Sequence, residues 1–331
     1  MDKDKNISAE TEERFLVSFS PHIWKGFSTS KIMYLVILAL LFPTGAAIYF
    51  FGYYAVLTIA VSVAFAVLTE FVIKKLRKRK FIMDGSAAVT GLLLALTLPP
   101  TVPLWMVAIG SVFSIAIAKE AFGGLGYNIF NPALAGRAFL SACFSSKMTT
   151  WVMPTYFSFD AVTGATPLSE SFSWQGDKIS LYKSLFFGNT GGSMGETSVL
   201  FILIGAAILL AFRLIDWKIP ATYIAVVALG SFILGKDVLF QVMAGGLMIG
   251  AFFMATDYVT SPVTGKGRII FGVGAGALTV LIRNFGAMPE GVCFSILLMN
   301  AFTPLIDKYI KLRPYGFKSK KVIKKSQEQK S

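Results

Sequence analysis

KIMYLVILALLFPTGAAIYFFGYYAVLTIAVSVAFAVLTEFVIKKLRKRK, residues 31–80, decides the fold class. It holds two apolar runs, 32–51 and 53–73, each near the roughly 20 residues a helix needs to cross a bilayer's hydrocarbon core. A basic cluster follows at once: Lys74, Lys75, Arg77, Lys78, Arg79 and Lys80. Working outward, apolar segments of similar kind recur at 86–102, 104–121, 130–146, 197–214, 219–235, 238–256, 268–285 and 290–310. The reading is an all-α integral membrane protein of about ten transmembrane helices. Composition agrees: 55% of residues are hydrophobic and 15% charged, with a mean hydropathy of +0.66. Soluble domains carry about 25% charged residues. A soluble enzyme, a disordered chain and a disulfide-built secreted scaffold are excluded on that count.

The formal charge of +13 suggests nucleic acid until its distribution is examined. The cluster at 74–80 and the tail beyond residue 307 hold 15 of the 31 Lys and Arg residues, and both adjoin apolar spans. Basic residues beside spans mark the cytoplasmic side, so the partner they imply is the lipid bilayer and not nucleic acid. With 74–80 inside, an even number of spans puts both termini in the cytoplasm. The long segment after the fifth span then falls outside; its three Lys and four acids lack the bias of an inner loop. The chain divides into a cytoplasmic N-terminal segment 1–30, a first membrane half 31–146, an external loop 147–196, a second half 197–310 and a basic cytoplasmic tail 311–331. Residues 1–30 show no cleavable signal pattern. Cys143 and Cys293 cannot supply the four thiolates of an iron–sulfur cluster, and a lone His22 excludes a histidine-rich metal site.

The two halves resemble each other. Laying 109–139 over 273–302 pairs Gly110 with Gly274, Lys119 with Arg283 and Phe130 with Phe294. Displacement by five spans, an odd number, makes the repeat inverted in the membrane. Such architectures place their working site where broken helices meet. Two stretches read as breaks: 123–132, which ends Tyr127-Asn128-Ile129-Phe130-Asn131-Pro132, and 257–262, continuing to Gly265-Lys266-Gly267. Asn128, Asn131 and Arg137 are the candidates for holding a polar ligand or lining an ion path, and Asp84 and Asp257 the carboxylates for such a path. The competing reading is that these side chains cap short helices and join spans. Gly272-Val273-Gly274-Ala275-Gly276 lacks a preceding strand, so it reads as close helix packing and not as a dinucleotide fingerprint. Gly191-Gly192-Ser193-Met194-Gly195 reads as a flexible link to the sixth span.

In the external loop, Asp160 precedes Thr163-Gly164-Ala165-Thr166. A threonine hydroxyl has little nucleophilicity unless activated, but one exposed among small residues is open to a modifying enzyme. This motif resembles the flavin-attachment motif of the D subunit of the Rnf electron-transport complex. It is similar also to that of the B subunit of the sodium-translocating NADH:quinone reductase. The resemblance spans most of the chain: Ser20-Pro21-His22, Asp84-Gly85-Ser86, Leu98-Pro99-Pro100, Gly126 through Ala133, Met254-Ala255-Thr256-Asp257, Ser261-Pro262 and Gly265-Lys266-Gly267. The compact length and short N-terminal segment favour the Rnf subunit over its longer relative.

The resemblance implies FMN linked through its phosphate to Thr166 by a separate flavin transferase on the outer face, with Thr163, Gly164, Ala165 and Asp160 forming the recognition motif. Many members carry serine where this chain has Thr163, a conservative difference. It further implies a translocase subunit in a prokaryotic cytoplasmic membrane. That subunit passes electrons among membrane and peripheral partners while ferredoxin and NAD chemistry drives Na+ or H+ across the membrane. A second, noncovalent flavin such as riboflavin among the broken helices is a further expectation. Trp151, Tyr156 and Trp174 could shield a flavin ring or anchor the loop at the interface. A flavin-free secondary transporter or channel would share the broken helices but has no use for an acceptor threonine.

Overall fold

The computed structural model describes residues 28–79, 81–154, 156, 163–164, 166–168, 177–286 and 291–311. The first half contains α1 (Thr29–Phe51), α2 (Tyr53–Leu76), α3 (Ser86–Thr97), α4 (Leu104–Ile115) and α5 (Pro132–Cys143). A π-helical turn, Ala116–Glu120, extends α4. Between the halves lie α6 (Ser145–Met148), the two-residue strands β1 (Trp151–Val152) and β2 (Thr163–Gly164), and α7 (Lys178–Phe187). The second half holds α8 (Val199–Ala211), α9 (Lys218–Ile233), α10 (Val238–Met243) and α11 (Leu247–Ile249), the last running into a second π turn, Gly250–Met254. It ends with α12 (Gly265–Phe285) and α13 (Val292–Tyr309). The protein is an all-α membrane protein, as its composition required.

α1, α2 and α12 are long and apolar enough to cross a membrane by length and composition; α3, α8 and α9 are apolar but shorter. The turn between α1 and α2 is a single residue, Gly52, at φ +61°, a conformation that disfavours side chains. Order of packing repeats between the halves. α2 lies on α4 as α9 lies on α12, α4 meets α5 as α12 meets α13, and α1 and α8 pack together across the seam. Lys119, at the end of the α4 unit, donates to Ser86 at the start of α3, 2.7 Å away. Its repeat partner Arg283, near the end of α12, donates to the carbonyls of Gln241, Ala244 and Gly245 just ahead of α11. Lys119 thus fastens the start of α3, and Arg283 the end of α10 and the turn ahead of α11. The glycines of α12 pack as expected: a Cβ on Gly272 would sit 2.0 Å from Thr222 Oγ1, and one on Gly276 2.7 Å from Val226 Cβ, both on α9.

Two segments differ from expectation. The span expected at 238–256 is interrupted, because Gly245 and Gly246 take φ of +70° and +67°. The carbonyls freed there are those that Arg283 satisfies, which lets a broken backbone persist inside the protein. The glycine-rich link at 190–198 is also not a free tether: Thr190, Ser193, Met194, Thr197 and Ser198 are all buried. Its backbone docks on the end of α3, with Met194 N–H donating to Leu98 O and Gly195 N–H to Leu96 O. Gly195 has no room for a Cβ beside Leu96 and Ile249. The smallness of these residues serves a close approach, not flexibility.

Candidate functional site

The loop motif lies over the joint between the halves. Thr163 pairs with Val152 and Gly164 with Trp151 in the antiparallel ladder. Tyr156 tethers the same loop to α1: its N–H donates to Phe50 O at 3.1 Å, and its ring meets Phe50 edge-on at 5.8 Å. Two residues past β2, Thr166 is 3% exposed. The sequence suggested an accessible threonine; the described fold covers it, because Pro167 is buried beside it and Leu168 reaches inward to Gly245. Its Oγ1 nonetheless has no hydrogen-bond partner among the described residues. A buried hydroxyl left unpaired is costly. That orphaned oxygen fits a phosphoester acceptor, since esterification removes the donor that has nothing to bond. Asp160, Ala165, Trp174 and His22 lie outside the described residues. Trp151 is buried and pairs with Gly164 in the ladder.

The two sequence breaks face one cavity of about 90 Å³, lined by Ser86, Lys119, Asn128, Asn131, Thr256 and Asp257 among others. The local chemistry explains the turns. Asn131 caps α5, accepting from the N–H groups of Ala133 (3.1 Å) and Leu134 (3.4 Å), while Pro132 fills the first helical position. Its amide donates to Met254 O across the seam at 3.2 Å. Asn128 donates to Phe130 O at 3.1 Å. Capping and joining therefore describe Asn131, whose amide is committed at both ends. Asp84, one residue before the N-cap Gly85, holds the start of α3 by accepting from Ser86 N–H and Oγ at 2.9 and 2.6 Å. Asp257 accepts from Thr260 Oγ1 at 3.1 Å and remains on the cavity wall. The expected Gly265-Lys266-Gly267 break is instead the first turn of α12, capped by Thr264. A polar chamber of about 350 Å³ adjoins the cavity, sharing Leu214, Ile215, Thr256 and Tyr258 with it. On its wall burial pushes the Asp216 carboxyl upward, but the Arg268 hydrogen bond and Lys218 outweigh burial and hold it below the usual carboxylate range.

Arg137 does not join the two asparagines. It donates to Thr97 O and lines a separate cavity of about 20 Å³ with Glu196 and Cys293, room for a water or two. One buried charge cluster escaped the sequence reading. Glu70 on α2 and Lys119 on the π turn form a buried ion pair at 3.1 Å, with Lys74 on the same carboxylate oxygen at 2.6 Å. Glu70 in the span 53–73, and Lys119 with Glu120 in the span 104–121, were the available signal, since charge at membrane depth is retained for pairing or function. Among the described residues no cluster of His, Cys, Asp and Glu could hold a metal ion.

Known proteins share this sequence over nearly its whole length. The chain is 48% identical to the D subunit of the proton-translocating ferredoxin:NAD(+) oxidoreductase complex of Clostridium ljungdahlii, covering 91% of this chain and 96% of that protein. It is 46% identical to the D subunit of the Na(+)-translocating ferredoxin:NAD(+) oxidoreductase complex of Acetobacterium woodii, covering 92% and 96%. It is 40% identical to the D subunit of an ion-translocating oxidoreductase complex of Stutzerimonas stutzeri, covering 87% and 92%. The profile of the NQR2, RnfD, RnfE family matches residues 16–316, so both breaks, the loop motif and the repeated halves lie within it, and the chain belongs to that family.

Proposed function

We propose that this chain is the D-type membrane subunit of an Rnf-type ion-translocating oxidoreductase, carrying FMN as a phosphoester on Thr166. The observation that carries the proposal is Thr163 and Gly164 held on a strand ladder, with a buried oxygen at Thr166 that has no hydrogen-bond partner among the described residues. The flavin, when bound, supplies one- and two-electron transfer between partner subunits. The chain's own residues position it: β1 and Tyr156 fix the loop across the joint between the halves, and Thr166 fixes the point of attachment. The subunit sits in the cytoplasmic membrane of a prokaryote with both termini inside, so the loop faces the compartment where a flavin transferase would act. Similar relatives are named for protons in one case and Na+ in another, so likeness does not choose the coupling ion. Asp257, on the wall of the cavity at the two breaks, is the carboxylate we assign to an ion path. Asp84 is occupied by Ser86 at the start of α3. Asn128 and Asn131 share a cavity of about 90 Å³, and Arg137 lines a different one.

The test is co-expression of the full chain with an active flavin transferase, followed by ultraviolet imaging of a denaturing gel. A fluorescent band lost in Thr166→Val and kept in Thr163→Val supports the proposal. A dark wild-type band, beside a second substrate that the same transferase labels, removes the flavin and leaves a transporter or channel as the better reading.

A further inference from the structure

We infer that the ring of a flavin tethered to Thr166 rests in the apolar groove between the start of α2 and the proline turn after α3. The inference rests on the attachment proposed above and names the seat that attachment would feed. The groove has a volume of about 380 Å³ and is lined by Phe51, Tyr54, Thr101, Val102, Pro103 and Val152 among others. That volume and its apolar walls are those of a small-molecule site. Tyr54 is 55% exposed, leaving an aromatic face open for stacking, whereas Phe51 and Val102 are buried and form the floor.

Reach selects this groove. Val152 lines it and is the ladder partner of Thr163. Thr166 follows three residues later, so it lies within about 11 Å of Thr163 at the 3.3–3.6 Å a residue can span. A ribityl phosphate arm adds a comparable length. Tyr156, bonded to Phe50 O, holds the start of the loop beside the same wall. Among the described cavities the alternatives fail on size or distance. The one around Arg137 and Glu196 is about 20 Å³. Those at Asp257 and Arg268 lie at the far end of α8, 13 residues and about 20 Å away. The unpartnered Thr166 hydroxyl also matters, because turning Oγ1 out of the protein toward the groove breaks no hydrogen bond.

The experiment uses the full chain flavinylated by the transferase, purified, with flavin content measured after denaturation. Fluorescence yield and anisotropy of the folded protein are then compared among wild type, Tyr54→Ala, Tyr54→Phe and Thr101→Trp. A ring stacked on Tyr54 is quenched and immobile. Tyr54→Ala should raise the yield severalfold and lower anisotropy, Tyr54→Phe should keep the anisotropy, and Thr101→Trp should free the ring by filling the groove from its rim. Both altered positions are surface sites, and Thr166 is intact in each, so covalent loading should stay equal. Unaltered yield and anisotropy in both Tyr54→Ala and Thr101→Trp overturn the seat while leaving the attachment standing. No covalent flavin in the wild type overturns the attachment, and the seat with it.

Discussion

Lys119 shows how one residue can be decided by its surroundings. Its ammonium is 2% exposed and bonded to Glu70 and to Ser86 Oγ, which itself bonds Asp84. Burying either charge alone would be prohibitive, and the pair persists because each satisfies the other. Removing one partner should therefore cost more than removing both. Lys119→Met leaves Glu70 with Lys74 alone, and is expected to cost about 3 kcal/mol, the low end for breaking a buried pair. Lys119→Met combined with Glu70→Leu should recover most of that loss. Thermal unfolding of the detergent-purified variants checks it, and a double variant no more stable than the single would show that the pair is not coupled. At this scale the sequence was legible where motifs carried it. Thr166 was found from its neighbours in the chain. Lys119 and Glu70 were missed because their partnership spans 49 positions and is made only by the packing of α2 against the α4 unit.

Elements were legible in proportion to their length and apolarity. α1 and α2 fill the expected 32–51 and 53–73 almost residue for residue, since an uninterrupted apolar run in lipid has no alternative to helix. The break at Gly245-Gly246 and the docking of 190–198 were misread, because glycine marks a tight turn, a flexible link and a close contact alike. Only the neighbours distinguish them. In α12 they do so sharply. A Cβ on Gly272 meets the Thr222 side chain and lies 3.0 Å from the carbonyl oxygen of Ile219, whereas one on Gly276 meets the Val226 side chain and lies 3.0 Å from the carbonyl oxygen of Tyr223. Gly276→Ala is accordingly expected to destabilise by about 1–3 kcal/mol, the range for overpacking. Thr222→Ala should relieve Gly272→Ala more than it relieves Gly276→Ala, and thermal shifts of the single and paired variants measure the difference. Equal rescue of both would mean that α9 and α12 separate as rigid bodies instead of yielding locally.

At the scale of the molecule, the duplicated arrangement and the sidedness of the loop depend on each other. If the halves are inverted copies, the ends of α5 and α13 face opposite sides, and the basic tail beyond α13 fixes which is which. α5 then ends outside, at Cys143, only eight positions before the ladder that carries the Thr163–Thr166 segment. The chain supplies its own probe for this arrangement. Cys143 is exposed, whereas Cys293 is buried with its thiol donating to Leu134 O at 3.4 Å. A membrane-impermeant maleimide added to intact cells expressing the chain without partner subunits should label it once. Labelling should vanish in Cys143→Ser and persist in Cys293→Ser. Labelling that appears only after the membrane is broken would put the end of α5 and the adjoining loop inside, where a transferase acting on the outer face could not reach Thr166. The charge-based orientation and the covalent flavin would then fall together, while the fold, which depends on packing and not on sidedness, would be unaffected.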